Sequence, residues 1–393
     1  SLSFASEPKK LGLIEPLSGA FAYQGNTSVH QFEMMIDEVN ARGGVLGGRK
    51  LELVFFDNKA SPQESLLVLK LAVDQGIRVV LQSSGSQSAH AISEAVTKHN
   101  RREPGRSVLY LNFGATDTAL TNEKCSFWHF RFDSNVDMML TAMTSYMAGQ
   151  KDIRKVYLIN QDYSYGQRVS QMGKALLARK RPDVVVVGDH LHPLGTIKDF
   201  APYVAKIRAS GADAVLTGNW GMDLALLIKA AAETGLSATF YTNYAYLNGT
   251  PRAIGKAGDG RVKTVFPWHI NIAGDPLAQF ALRFRKRYHE EFESLPPKIA
   301  LDMWVAAVER AGSIDPLKVA LALENMRHQS PTGEVWMRPE DHQLQLPLYV
   351  ATFSKVGGEV KYDLEDTGHG FRTEMRIEAN DLTLPTSCRM ERP

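Results

Sequence analysis

The stretch "IRVVLQSSGSQSAHAISEAV", residues 77–96, holds a strand, a loop and the start of a helix. Ile77, Val79, Val80 and Leu81 make an apolar run without polar alternation, the pattern of a strand buried on both faces. Gln82 to Ser88 then bring four serines around Gly85, and "AHAISEAV" opens a helix. A strand that leads through a short polar loop into a helix is the repeating unit of an open parallel sheet. In such sheets ligands bind outside the carboxyl ends of the strands. The N-terminus of a helix there offers unpaired N–H groups and partial positive charge, and Ser83, Ser84 and Ser86 add hydroxyl donors. The loop has no lysine or arginine, so it suits a single negative charge better than a polyphosphate.

The same rhythm extends in both directions. Upstream stand a strand in "KLGLIEPL", a helix from about Asn26 to Ala41, and a strand in "KLELVFFD". A second helix opens at Ser61-Pro62, with Glu64 placed for a capping box. Downstream, "SVLYLNF" is a fourth strand. After "CSFWHFRFD" a second series begins: "RKVYLIN", "DVVVVGD", "DAVLTG", "TFYTN" and "VKTVFPW", separated by helical segments. Two such series predict two doubly wound α/β lobes. Late helices at about 275–293, 298–311 and 316–326, then an expected hairpin in "LPLYVATFSKVGGEVKYDL", place the lobes at 8–132 plus 269–342 and at 133–268 plus 343–393. Three crossover strands and a ligand cleft between the lobes follow from that division.

Composition is consistent with this. The chain has 393 residues, 44% hydrophobic and 22% charged, with a net charge of +2. It is long enough for two domains, and its charge gives no reason to expect nucleic acid or a membrane surface as partner. Its longest apolar stretches, such as "LALLIKAAA", are too short to span a bilayer, so the protein is not expected to be membrane-embedded. Ser3-Phe4-Ala5 has the small-x-small form of the end of a secretory signal, which predicts export; the alternative is a cloning remnant. Cys125 and Cys388 either pair in an oxidising compartment or remain two buried thiols.

Catalytic and cofactor motifs are missing. There is no phosphate-binding G-x-x-x-x-G-K-[ST], no dinucleotide G-x-G-x-x-G after a strand, no G-x-S-x-G around Ser84, Ser86 or Ser88, and no H-E-x-x-H. His190-x-His192 reads as polar residues at a strand end rather than a metal pair, and His269 has no partner base. The expectation is no enzyme, no cofactor and no metal. Other strand-end loops instead supply Tyr23 and Gln24; Gly114, Ala115 and Thr116; then Tyr163, Tyr165, Asn219, Trp220, Tyr244, Tyr246 and Trp268. Aromatic walls with a polar, anion-favouring set describe a small-molecule site.

The segments "IEPLSGAFAYQG", "VNARGGVLGGRKLELVFFDNKASP", the serine loop, "LNFGATDTALT", "NQDYSYGQ" and "LHPLGTIKDFAPYVAKIRASGADAVLTGNW" resemble, in order and spacing over most of the chain, the periplasmic branched-chain amino-acid-type solute-binding proteins of ABC transporters. That resemblance implies the type I periplasmic binding fold, closure over a ligand, delivery to permease subunits, a periplasmic location and a monomer. It implies Ser83 or Ser84, with Gly85 and Ser86, as the carboxylate site, Gly114 and Thr116 as its neighbours, Tyr165 as the tyrosine closing from the other lobe, and Asn219 or Trp220 as a further contact. Family members that bind amino acids hold the ammonium with an acid in the loop that here reads "TNYAYLNG", where this chain has Tyr244. Asp162 and Asp223 are the possible substitutes. The expected ligand is therefore a carboxylate without an ammonium, most simply an aromatic acid of the benzoate or cinnamate type. Branched-chain amino-acid binding and a ligand-sensing domain of a regulatory system are the alternatives.

Overall fold

The structure, a computed structural model, describes residues 7–393, so the Ser3-Phe4-Ala5 reading lies outside it. The chain forms two compact α/β units. The first comprises residues up to Ser134, Leu295–Leu346 and Leu384–Pro393; the second comprises Asn135–Ser294 and Pro347–Thr383.

The first unit begins β1 (Lys9–Glu15), α1 (Ala22–Ala41), β2 (Leu51–Asp57), α2 (Pro62–Asp74), β3 (Val79–Gln82), α3 (Ser86–Arg102), β4 (Leu109–Asn112) and β5 (His129–Arg131). Its parallel sheet has the order β2-β1-β3-β4-β5. One face packs through Ile14, Val80 and Tyr110 onto Val68, Ala72, Ile92 and Val96 of the covering helices. Helix α2 starts as its sequence predicts, with Ser61 Oγ accepting from Glu64 N at 3.2 Å. The box is one-sided, however, because Ser61 N donates to Asn58 O.

The second unit runs α4 (Val136–Ala148), β6 (Lys155–Gln161), α5 (Ser164–Lys180), β7 (Val185–His192), α6 (Ala201–Ala209), β8 (Ala214–Thr217), α7 (Met222–Glu233), β9 (Thr239–Thr242), α8 (Thr250–Ile254), β10 (Val262–Phe266) and α9 (Ala278–Tyr288). The chain then returns to the first unit for α10 (Pro296–Ala311), α11 (Pro316–Leu323), β11 (Arg327–Ser330), β12 (Gly333–Met337) and β13 (Leu344–Gln345). It goes back to the second for β14 (Leu348–Lys355) and β15 (His369–Ile377). The large sheet has the order β15-β14-β10-β9-β8-β6-β7, parallel from β10 to β7 and antiparallel at β14 and β15.

Several expectations are corrected. The return to the first unit falls at Leu295, not at 269. Helix α9 stays with the second unit because Phe280 and Phe284 pack on Phe292, and Arg285 pairs with Asp363 (3.1 Å) and Asp366 (2.8 Å). The last ten residues belong to the first unit, which gives a fourth passage of the chain between units where three were expected. The hairpin partner of β14 is β15 at 369–377, whereas the "VGGEV" turn closes only a single bridge between Gly357 and Val360. The "DVVVVGD" run forms β7 at the sheet edge with Val185 57% exposed, so its apolar continuity marks strand propensity and not two-sided burial. Helix α1 begins four residues earlier than its apolar spacing indicated.

Cys125 and Cys388 form a disulfide across 263 residues of sequence, with Cα atoms 5.8 Å apart. Arg338 Nη1 on Leu384 O (2.7 Å) and Arg392 on Glu324 (2.7 Å) tie down the same terminal segment. The bridge closes a long loop in the unfolded chain, so its loss is expected to cost about 2–4 kcal/mol. Denaturant melts of the native protein against a Cys125→Ser/Cys388→Ser double variant should show that loss.

Candidate ligand-binding site

In the first unit the strand order reverses between β1 and β3, the topological switch point at which open α/β sheets bind ligands. Glu15 ends β1 there and is fully buried. Its Oε1 accepts from Ser83 N (2.8 Å) and Ser84 N (2.9 Å). Its Oε2 accepts from the hydroxyls of Ser28 (2.8 Å), Ser83 (2.7 Å) and Ser84 (3.2 Å). The serine loop thus holds a carboxyl group, and that group is the chain's own. Burial pushes the Glu15 pKa up, while the backbone and hydroxyl donors of Ser84, Ser83 and Ser28 pull it back down; burial prevails.

The neighbouring loops are built around this contact. Gly85 has φ +99°, a backbone conformation that favours glycine, and it precedes α3 as its N-cap; its carbonyl accepts from Gln82 Nε2 at 3.0 Å. Ser86 Oγ accepts from Asp117 N at 3.2 Å. At Gly114 a Cβ would stand 2.7 Å from the Cβ of Ser83, so only glycine lets the β4 loop approach the serines. The N–H groups of Gly114 and Ala115 both donate to Asn112 Oδ1, at 3.1 and 2.8 Å, so the loop's own asparagine has taken them. Thr116 and Gln24 are buried, and Tyr23 is partly exposed.

Sequence reasoning also missed Arg131 beneath these loops. Its buried guanidinium donates to the carbonyls of Ala115 (3.1 Å) and Asp117 (2.7 Å), to Thr121 Oγ1 (2.7 Å) and to Gln343 Oε1 (2.8 Å). Nearby Asp133 is fully buried, and burial raises its pKa to about 7.

In the second unit the order reverses between β6 and β8. Tyr165, in the first turn of α5, donates its hydroxyl to Gly218 O (2.6 Å) and accepts from Asn243 Nδ2 (3.1 Å). Trp220 Nε1 donates to Tyr163 Oη at 2.9 Å. The rings continue from Tyr163 to Tyr165 (5.6 Å between centroids), Tyr244 (6.0 Å) and Tyr246 (6.1 Å), and then to Phe266 (4.9 Å). The strand-end aromatics of β6, β8 and β9 therefore form one linked set. Trp268 stands apart from it: its Nε1 donates to Asp275 Oδ2 (2.7 Å) and its ring meets Phe292. Asn219 is turned inward, with Nδ2 2.8 Å from His192 Nε2, and His192 Nδ1 donates to Pro193 O.

Of the possible ammonium partners, Asp162 is exposed and bonded to Gln167 (3.1 Å), and Asp223 is buried. Asp223 Oδ2 accepts from Gln161 Nε2 (2.9 Å) and Gly195 N (2.8 Å). His190 and His192 both pack on Tyr203, and among the described residues no cluster of three or more His, Cys, Asp or Glu could hold a metal ion. His269 lies on Phe266 and donates to Thr373 Oγ1 (2.7 Å), and burial lowers its pKa to about 3. Among the described residues no helix is long and apolar enough to cross a membrane.

A profile described as periplasmic binding protein matches residues 8–358. The chain belongs to this family. Its members are substrate-binding proteins of ABC transporters rather than enzymes, and the two parallel-sheet units have the type I fold. The "Leu/Ile/Val-binding protein homolog 4" of Brucella melitensis is 32% identical over 398 aligned positions, covering 99% of this chain and 94% of that protein. The closed crystal structure of a leucine-, isoleucine-, valine-, threonine- and alanine-binding protein from Brucella ovis is also 32% identical. Its TM-score is 0.87, over 99% of this chain and 100% of that one. A solute-binding protein from Rhodopseudomonas palustris in complex with 3,4-dihydroxybenzoic acid shares the fold at 19% identity, with a TM-score of 0.82 and coverage of 95% and 98%.

Two buried groups give direct tests. Tyr165→Phe leaves Gly218 O and Asn243 Nδ2 without their partner, and chemical denaturation should show a loss of about 1–3 kcal/mol. Asp133 binds its proton more tightly in the native state than in the unfolded chain, so its contribution to stability is lost as pH rises from about 4 through about 7. Asp133→Asn keeps the acceptor for Ser134 and removes the titration. The difference in melting temperature, variant minus native protein, should therefore grow in the variant's favour across that interval.

Proposed function

We propose that this solute-binding protein works outside the inner membrane, after removal of a signal peptide, and delivers a small carboxylate with an aromatic body to the permease of an ABC importer. The observation that carries the aromatic part is the linked ring set of Tyr163, Tyr165, Trp220, Tyr244 and Tyr246 at the switch point of the second unit. We assign the ligand's apolar body to these residues. Its polar end is assigned to the first unit's loops at Ser83–Ser86 and Gly114–Thr116, with Tyr23 and Gln24 beside them. Trp268 and Asn219 keep a lesser place, because their polar atoms already serve Asp275 and His192.

Flat rings stacking on tyrosine faces remove apolar area from water in proportion to ligand size. About 200 Å² of such burial gives about 5 kcal/mol, enough with a few polar contacts for micromolar affinity after association costs. A second reading, branched-chain amino-acid binding, is favoured by the names of the relatives at 32% identity.

Thermal-shift screening separates the two. Aromatic compounds, whether amino acids or acids, are expected to raise the melting temperature more than leucine or valine at equal concentration. A larger shift with leucine or valine than with every aromatic compound overturns the aromatic assignment. Recovery of the bound compound unchanged after prolonged incubation is the expected companion result.

A further inference from the structure

The segment Leu384–Pro393 lies on the first unit as irregular chain, held at its two ends by charged groups. Arg338 Nη1 donates to Leu384 O, Arg101 pairs with Glu391 (2.7 Å), and Arg392 pairs with Glu324. The Arg101–Glu391 pair is exposed on both sides, and a pair of that kind contributes little. The middle of the segment is fastened differently, all of it to one short stretch of chain. Cys388 is bridged to Cys125, Ser387 N donates to Asn122 Oδ1 (2.9 Å), and Thr386 Oγ1 donates to Thr121 O (3.0 Å). Thr386 Oγ1 also accepts from Cys388 N (3.1 Å), so one hydroxyl links the backbone beside the bridge to the Thr121 carbonyl.

That stretch leads straight to the β4 loop. The 3-10 turn Thr118–Thr121 follows the loop, with Asp117 as its N-cap, and Asn122 Nδ2 donates back to Thr118 O (3.0 Å). Arg131 joins turn and loop from beneath: Nη2 donates to Thr121 Oγ1, while Nη1 donates to Ala115 O and Asp117 O. The terminal segment thus holds the far end of a turn whose near end carries Ala115 and Thr116. Release of the Thr121 carbonyl lets the turn move, and Arg131 then either follows Thr121 or loses it as a partner. In both cases its grip on Ala115 O changes.

Resting on the proposed assignment of Gly114–Thr116 to the polar end of the solute, we infer that residues 384–388 are a positioning strap for that loop. Thr386 is its central residue, and with the Cys125–Cys388 bridge it fixes the turn at Thr118–Thr121 and, through Arg131, the backbone set to meet the solute. The bridge then serves affinity as well as stability. A cross-link that only restricted the unfolded chain would leave local opening of this loop in the native state unaltered.

The test compares the native protein with Thr386→Val, which keeps the shape and removes the hydroxyl, and with Thr386→Ser, which restores it. Hydrogen exchange under native conditions, read by mass spectrometry, should be at least about fivefold faster over residues 113–122 in Thr386→Val. Exchange over Lys9–Glu15 should be unchanged, and Thr386→Ser should keep the native rates throughout. Calorimetry with leucine and with 4-hydroxybenzoate gives the second readout. Whichever probe the native protein binds should bind Thr386→Val about three- to tenfold more weakly, and Thr386→Ser with native affinity. The Cys125→Ser/Cys388→Ser variant should show the same local exchange and the same loss, and it decides the matter if Thr386→Val does not fold. Native exchange over 113–122 in the folded variants, an equal acceleration over Lys9–Glu15, or unchanged affinity for a probe that binds overturns the inference. Binding of neither probe by the native protein is a failure of the solute reading, and the exchange rates then decide the strap by themselves.

Discussion

The first unit depends on one buried carboxylate and the five donors that surround it. Taking an ionised side chain out of water costs several kcal/mol, and hydrogen bonds to a charged group return roughly 1.5–3 kcal/mol each. Glu15 is tolerable at the end of β1 only while the β3 loop and α1 supply their donors together. That requirement fixes the position of the serine loop relative to the end of β1.

The second unit solves its strand ends in a different way. Its switch point is lined by tyrosines and a tryptophan, and among them Tyr165 bonds to Gly218 O and Trp220 to Tyr163. These bonds satisfy the polar atoms of Tyr165 and Trp220, so the two side chains can be buried without stranding a donor. The amide groups of Asn160 and Asn243 hold that arrangement from below, through Gly218 N (2.7 Å) and Tyr165 Oη. The switch points of the two units therefore differ in chemistry, a buried carboxyl group ringed by serines in one and a linked set of rings in the other.

Much of this could be read from the chain. The continuous apolar runs ending in glycine- and serine-rich loops gave the two doubly wound units, since a parallel strand covered on both faces leaves that pattern whatever its neighbours are. The aromatic residues of the strand-end loops were found for the same reason: loop position follows from strand position. Glu15 stands in plain view within "KLGLIEPL", which by its apolar run reads only as a strand. An acid that follows four buried apolar residues and precedes Pro-Leu-Ser-Gly is the signal that could have marked it. Trp268 and Asn219 carried no sign that their polar atoms were already engaged. The edge position of β7 was hidden, because a β-branched run looks alike at the centre and at the rim of a sheet.

By itself, then, the sequence determined fold class, unit number and the list of loops able to meet a ligand, because periodicity and turn chemistry are local. Only the tertiary structure decided the pairing of Cys125 with Cys388, the attachment of α9 and of the last ten residues, and the direction of the serine hydroxyls. Each of these joins residues far apart in the chain, Glu15 and Ser83 by 68 positions. A hydrogen bond's donor and acceptor roles exist only once both partners are in place.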